Sequence, residues 1–154
     1  MPPQIAIAPL RVEDADELSH VLLNEKPEYL RFFRPFSFDA ASLRKRVGGI
    51  KRDQFWSIRY DGLLAGFFML RGFDEGFTRP AFGVYVTKSF ANRGLAKAAL
   101  EHALAWCREN EIQEVMLKVA PENVAAQKVY ERFGFEKTNV SPASGEDVMV
   151  KHLG

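Results

Sequence analysis

The stretch from Phe82 to Phe135 constrains this chain more than any other part of it. Phe82-Gly83-Val84-Tyr85-Val86 has the aromatic and β-branched content of a strand, and Ala91-Asn92-Arg93-Gly94-Leu95-Ala96 then turns into an apolar stretch ending near Cys107. A second short apolar run, Val115 to Val119, leads to a second helical stretch carrying Asn123, Ala126 and Tyr130. That order describes a cradle for a pyrophosphate-bearing cofactor with a phenol nearby. Gly94 permits close backbone approach, and the first N–H groups of a helix lack internal partners at the positive end of its dipole. An ordinary strand-to-helix connection would carry the same glycine, so the turn needs its context to mean more.

Length and charge bound the rest. At 154 residues with 47% hydrophobic content, the chain reads as one domain, residues 1–154, with a single sizeable core. A formal charge of +1 supplies no general field for nucleic acid or an anionic membrane, so neither is expected as a partner. The single cysteine, Cys107, excludes an internal disulfide and thiolate zinc clusters. Met1-Pro2-Pro3-Gln4-Ile5 lacks the pattern of a signal peptide, and no apolar run approaches the ~20 residues that span a bilayer. The expectation is a soluble, cytoplasmic protein.

Periodicity divides the chain further. Ile5 and Ile7 suggest a first strand, and Val12, Ala15, Leu18 and Leu22 recur at helical intervals. Asp39 is a plausible N-cap for a helix over Ala40 to Ile50. Asp61-Gly62 between Gln54–Tyr60 and Leu63–Leu70 is a strong hairpin signal. With terminal strands near Phe135–Asn139 and Val148–His152, the order predicts an α/β (α+β) fold: a mixed, largely antiparallel sheet flanked by helices on both faces.

At these residues the chain resembles the GNAT superfamily of acyl-CoA-dependent N-acetyltransferases. The family's first motif is roughly Gln/Arg-x-x-Gly-x-Gly/Ala between strand and helix, and here it reads Ala91-Asn92-Arg93-Gly94-Leu95-Ala96, with Ala91 where Gln or Arg is usual. The second motif, Asn-x-x-Ala-x-x-x-Tyr-x-x-x-Gly-Phe, is present as Asn123, Ala126, Tyr130, Gly134 and Phe135. The resemblance implies acetyl-CoA as cosubstrate, with pyrophosphate on the backbone of Asn92, Arg93, Gly94, Leu95 and Ala96. It also implies that the Phe82–Val86 and Val115–Val119 strands run parallel and splay, leaving Val84 and Val86 to pair with pantetheine. Asn123 would lie near the pantetheine, although a helix N-cap explains it equally. Tyr130 would bind cofactor and act as general acid in direct acyl transfer to a primary amine, although its spacing from Ala126 and Phe133 also suits a core aromatic. A CoA-binding sensor or scaffold without catalysis is the alternative.

The acceptor side is less defined. Pro80 to Val86 contains no carboxylate, so the general base is open among Asp74, Glu75, Tyr85 and a water relay. Tyr29 to Phe38, with four phenylalanines and two arginines, reads as a hydrophobic cover over the sheet. It would also suit an acceptor that joins an apolar part to an anionic one. Protein N-termini, polyamines, amino acids and aminoglycosides all remain open, though no acidic groove speaks for polycations. His20, His102 and His152 are scattered without metal spacing, so no metal is expected. Phe73 and Phe77 are candidates for a homodimer contact.

Overall fold

The computed structural model describes residues 4–31, 33 and 35–153. Its strands are β1 (Ile5–Pro9), β2 (Gln54–Tyr60), β3 (Leu63–Arg71), β4 (Ala81–Val86), β5 (Glu114–Val119), β6 (Glu136–Val140) and β7 (Asp147–His152). They form one seven-stranded sheet in the order β1-β2-β3-β4-β5-β7-β6, antiparallel throughout except where β4 meets β5. Helices α1 (Ala15–Leu23) and α2 (Ala40–Gly48) cover one face, while α3 (Leu95–Glu109) and α4 (Val124–Arg132) cover the other. This is the mixed sheet with helices on both faces that the element order predicts.

β3 shows why the sheet is stable. Phe67 and Met69 point into one cluster with Leu18, Leu22, Leu43 and Val47, and Phe68 and Leu70 into the other with Leu100, Ala103 and Cys107. A strand covered on both faces reads as a continuous apolar run rather than an alternating one, as Leu63–Leu70 does. The β2–β3 turn is formed by Asp61 at φ 50° and Gly62 at φ 86°, the left-handed pair of a tight hairpin. Gly66 brings β3 and β4 together: a Cβ there would stand 2.1 Å from the Tyr85 carbonyl oxygen.

Two expectations change. The helical spacing from Val12 begins as a 3-10 turn over Val12–Asp14, because the Arg11 N–H is held by the Asp14 carboxylate at 2.9 Å and tightens the first turn. Phe73 is buried, at 5% exposure, and is removed from any dimer contact. Asp53 and Asp74 fold its loop inward: Asp53 Oδ1 accepts from the Gly72 and Asp74 N–H groups, and Phe73 packs 5.9 Å from Trp106. Phe77 remains exposed.

The segment between α1 and α2 is an aromatic cover over the sheet, as its composition predicts. Phe33 packs edge-on against Phe67 at 5.6 Å and stacks on Tyr85 at 5.8 Å, while Phe36 packs against Phe55. Phe32 and Arg34 lie outside the described residues, as do Met1, Pro2 and Pro3. Among the described residues no helix is long and apolar enough to cross a membrane.

Candidate active site

The site begins where β4 and β5 part. They are parallel and in register only at Ala81 and Met116, where the Met116 N–H donates to the Pro80 carbonyl at 2.9 Å. On the opposite edge of β4 the Thr87 N–H donates to the Ala65 carbonyl of β3 at 2.8 Å. Backbone groups alternate between the two edges of a strand, so Val84 and Val86 share the Pro80 edge and face the opening that β5 has left. Tyr29 Oη occupies part of it, donating to the Val86 carbonyl at 2.6 Å.

The chain leaves β4 through a 3-10 turn, Lys88–Phe90, and enters α3. Asn92 (φ 62°) and Gly94 (φ 79°) are both left-handed, and this tight pair aims the start of α3 back across the end of the sheet. Gly94 is the N-cap and offers no side chain to the first turn, which contains no acidic residue. The amides of Leu95 and Ala96 are therefore open to an anionic ligand. Arg93 lies over two rings, 5.1 Å from the centre of Tyr60 and 5.7 Å from that of Phe90, and donates to Tyr60 Oη at 3.3 Å. That platform holds the guanidinium beside the turn.

Asn123 and Tyr130 approach from α4. Asn123 caps the helix, its Oδ1 accepting from the Ala126 N–H at 3.4 Å. Tyr130 packs on the α3-side core, edge-on to Phe135 at 5.9 Å, and burial pushes its phenol up to about 12. Among the described residues nothing hydrogen-bonds its hydroxyl. Such a phenol is fully protonated at neutral pH.

The other face of β4 carries a network that sequence reasoning missed. Tyr85 Oη donates to Glu25 Oε1 at 2.7 Å, and the Lys88 N–H donates to the same oxygen at 2.9 Å. Burial and then the Glu25 carboxylate push the Tyr85 phenol far up, so this bond persists through neutral pH. Glu25 follows the end of α1, 60 residues from Tyr85. Its only sequence signal was its place in the Lys26-Pro27 helix break. Asp74 is instead committed to its loop, where it accepts from the Lys51, Arg52 and Asp53 N–H groups at 3.1, 2.6 and 3.4 Å. Desolvation raises its pKa, but those three bonds outweigh it and leave the carboxyl below its ordinary value.

Toward the start of β4, on the α1 and α2 face, lies a cavity of about 520 Å³, whose wall residue Phe33 stacks on Tyr85. It runs between the aromatic cover and the β3–β4 connection, with Phe33, Met69, Phe77 and Gly83 among its walls and Arg71 and Lys118 at its edges. Its size falls within the ordinary range for small-ligand sites. The site thus has two sides: backbone and helix start on one, side chains and a cavity on the other.

The sequence profile of the Acetyltransferase (GNAT) family matches residues 18–135, which include β4, the Gly94 turn and all of α4. The chain belongs to this family. It is 36% identical over 56 residues to the aminoglycoside N(6')-acetyltransferase type 1 of Salmonella typhimurium, covering 36% of this chain and 39% of that protein. It is 25% identical over 141 residues to the putative ribosomal N-acetyltransferase YdaF of Bacillus subtilis, covering 85% of this chain and 77% of that protein. In fold it is similar to the PaiA N-acetyltransferase from Thermoplasma acidophilum in complex with coenzyme A, with a TM-score of 0.78 at 17% identity over 97% of this chain and 99% of that one.

Proposed function

We propose that this protein, acting as one domain over residues 1–154, transfers an acetyl group from acetyl-CoA to a primary amine. The observation that carries the reading is the opening beside β4: Val84 and Val86 face it after β5 has parted at Ala81. At the end of the same strand, the uncapped first turn of α3 presents its amides. An opened parallel pair that leads to an uncapped helix start fits an extended ligand with an anionic end. Val84 and Val86 hold the pantetheine arm, Asn92 to Ala96 hold pyrophosphate, and Arg93 adds charge from its aromatic platform. Asn123 keeps its capping bond and orients the α4 end beside the arm. Bound acetyl-CoA supplies a thioester carbonyl, and the Val84 N–H is positioned to polarise it.

Tyr130 faces the departing thiolate. Its phenol at about 12 lies more than three pH units above an ordinary thiol near ~8.5. A hydrogen bond to the developing thiolate is therefore favoured over complete proton transfer. The amine must lose a proton to attack, and Glu25 is the carboxylate that the fold brings to the end of β4 on the acceptor face. Cys107 is no candidate for an acyl-enzyme nucleophile: it is buried in the α3-side core, where desolvation pushes its thiol up to about 11.

The test is a screen of amines with acetyl-CoA, following release of free CoA thiol alongside the melting temperature. Turnover with at least one amine, together with stabilisation by acetyl-CoA, supports the reading. Stabilisation without turnover of any amine selects the CoA-binding sensor, which the carboxylate-free β4 favours. No stabilisation removes both.

A further inference from the structure

The acceptor-side cavity contains a cation that, among the described residues, forms no ion pair. Arg71 ends β3, is half-buried, and lines the cavity. Its guanidinium lies 5.4 Å from the centre of the Phe36 ring, over which Arg46 also sits, at 4.4 Å. Among the described residues no carboxylate stands within ion-pair distance of Arg71. Burial first, then the neighbouring Arg46, hold its pKa below the ordinary value, and Glu75 and Asp53 offset this only in part. The other charges facing the cavity are Arg79, Lys118, Glu75 and Glu146. Of the cations, Arg79 is engaged by Glu114 at 3.8 Å.

A half-buried guanidinium without a partner carries a desolvation cost that an entering anion offsets. The planar fork of arginine matches a carboxylate through two parallel hydrogen bonds. We propose that Arg71 determines acceptor specificity by binding a carboxylate carried on the same molecule as the amine. The inference rests on the acetyl-transfer reading and names the substrate class for that site. The ladder gives the spacing: Arg71 pairs with Ala81 and Phe68 with Val84, three residues apart, which is ~10 Å along the strand. The acceptor therefore carries its carboxylate within ~10 Å of its amine, with its apolar part against Phe33, Met69 and Phe77. Amino acids and the acidic N-termini of peptides share this chemistry. Polycationic amines, including the class named for the aminoglycoside acetyltransferase relative, meet an unpaired positive charge here.

The experiment uses the full chain with acetyl-CoA and matched acceptors: phenylalanine against phenylalaninamide, and the dipeptide amides Ala-Asp against Ala-Asn. CoA release gives kcat and KM. Calorimetry on the protein–CoA complex gives binding of the same four compounds without needing turnover. The inference expects the acid of one pair or the other to exceed its amide by at least tenfold in kcat/KM. Arg71→Gln removes that preference mainly by raising KM for the acid, with a smaller effect on the amide, while Arg71→Lys restores part of it. Which pair responds separates a free amino acid from a peptide. Acid-selective, Arg71-dependent binding without turnover leaves the carboxylate site standing and removes the transfer reading. Equal binding of acid and amide, or an equal loss for both in Arg71→Gln, overturns the inference.

Discussion

The two sides of β4 are built differently. Toward α3 and α4, the candidate cofactor side is made of backbone: Val84 and Val86 facing an opening, and a helix start with no capping side chain. Toward α1 and α2, the acceptor side is made of side chains from two strands and a connection: Glu25, Tyr29 and Tyr85 near the end of β4, and Arg71 beside its start. Backbone recognition tolerates drift in side chains, so Ala91 in place of the usual glutamine or arginine leaves the Gly94 turn intact. Side-chain recognition has no such tolerance. In the proposed reaction, substrate identity belongs on the second side for that reason.

The largest expected effect tests whether the two sides share one frame. Gly66→Ala drives a Cβ into the Tyr85 carbonyl, a backbone atom that cannot swing aside, and should cost more than about 3 kcal/mol. Chemical denaturation measures it, and a near-native midpoint would mean that β3 and β4 can separate without loss. Val84→Pro comes next. It removes a donor that faces the opening and breaks no β3 ladder bond, so the chain should remain folded by circular dichroism while acetyl transfer falls ~100-fold or more.

Glu25→Gln sharpens the comparison from the acceptor side. Glutamine retains an oxygen for Tyr85 and Lys88 but takes up no proton, so kcat/KM should fall ~100-fold with stability preserved. Unchanged kcat/KM would reduce Glu25 to a clamp. Tyr130→Phe should lower kcat by ~10- to 100-fold, the range of one hydrogen bond to a charged group, with acetyl-CoA binding retained. The smallest effect is in alkaline stability. The Tyr130 phenol moves from 10.0 to about 12 on folding, so the stability this gives is complete below about pH 10 and disappears as pH rises through about 12. Tyr85 contributes with the same sign. Melting temperatures between pH 9 and 12 should therefore fall less steeply in Tyr130→Phe than in the unmodified protein.

Legibility in the sequence follows the same divide. Apart from the start of α1, three residues after Val12, the strands and helices fall within a residue or two of their periodicity, because alternation and helical spacing are local and the sheet buries what they mark. Asp39 caps α2 as its residue type predicts. Asn92 and Gly94 both hold positive φ at the turn the motif marked. Phe73 was misread as exposed because its burial depends on two aspartates folding the loop onto the sheet, a reciprocal hydrogen-bond arrangement that no local pattern announces. Glu25 was missed because 60 residues separate it from Tyr85. Arg71 reads as the start of a polar loop until the aromatic cover closes over it.

By itself, then, the sequence determined the order of elements, the family and the left-handed turn that opens α3. Each of these depends on residues near one another in the chain, where φ preference, periodicity and helix capping act directly. Tertiary structure alone decided how far β4 and β5 part, which carboxylate reaches the end of β4, and which arginine is left half-buried without an ion pair among the described residues. Those are contacts between distant segments, set by the packing of α1, α2 and their aromatic connection on the sheet, and packing is a property of the whole core.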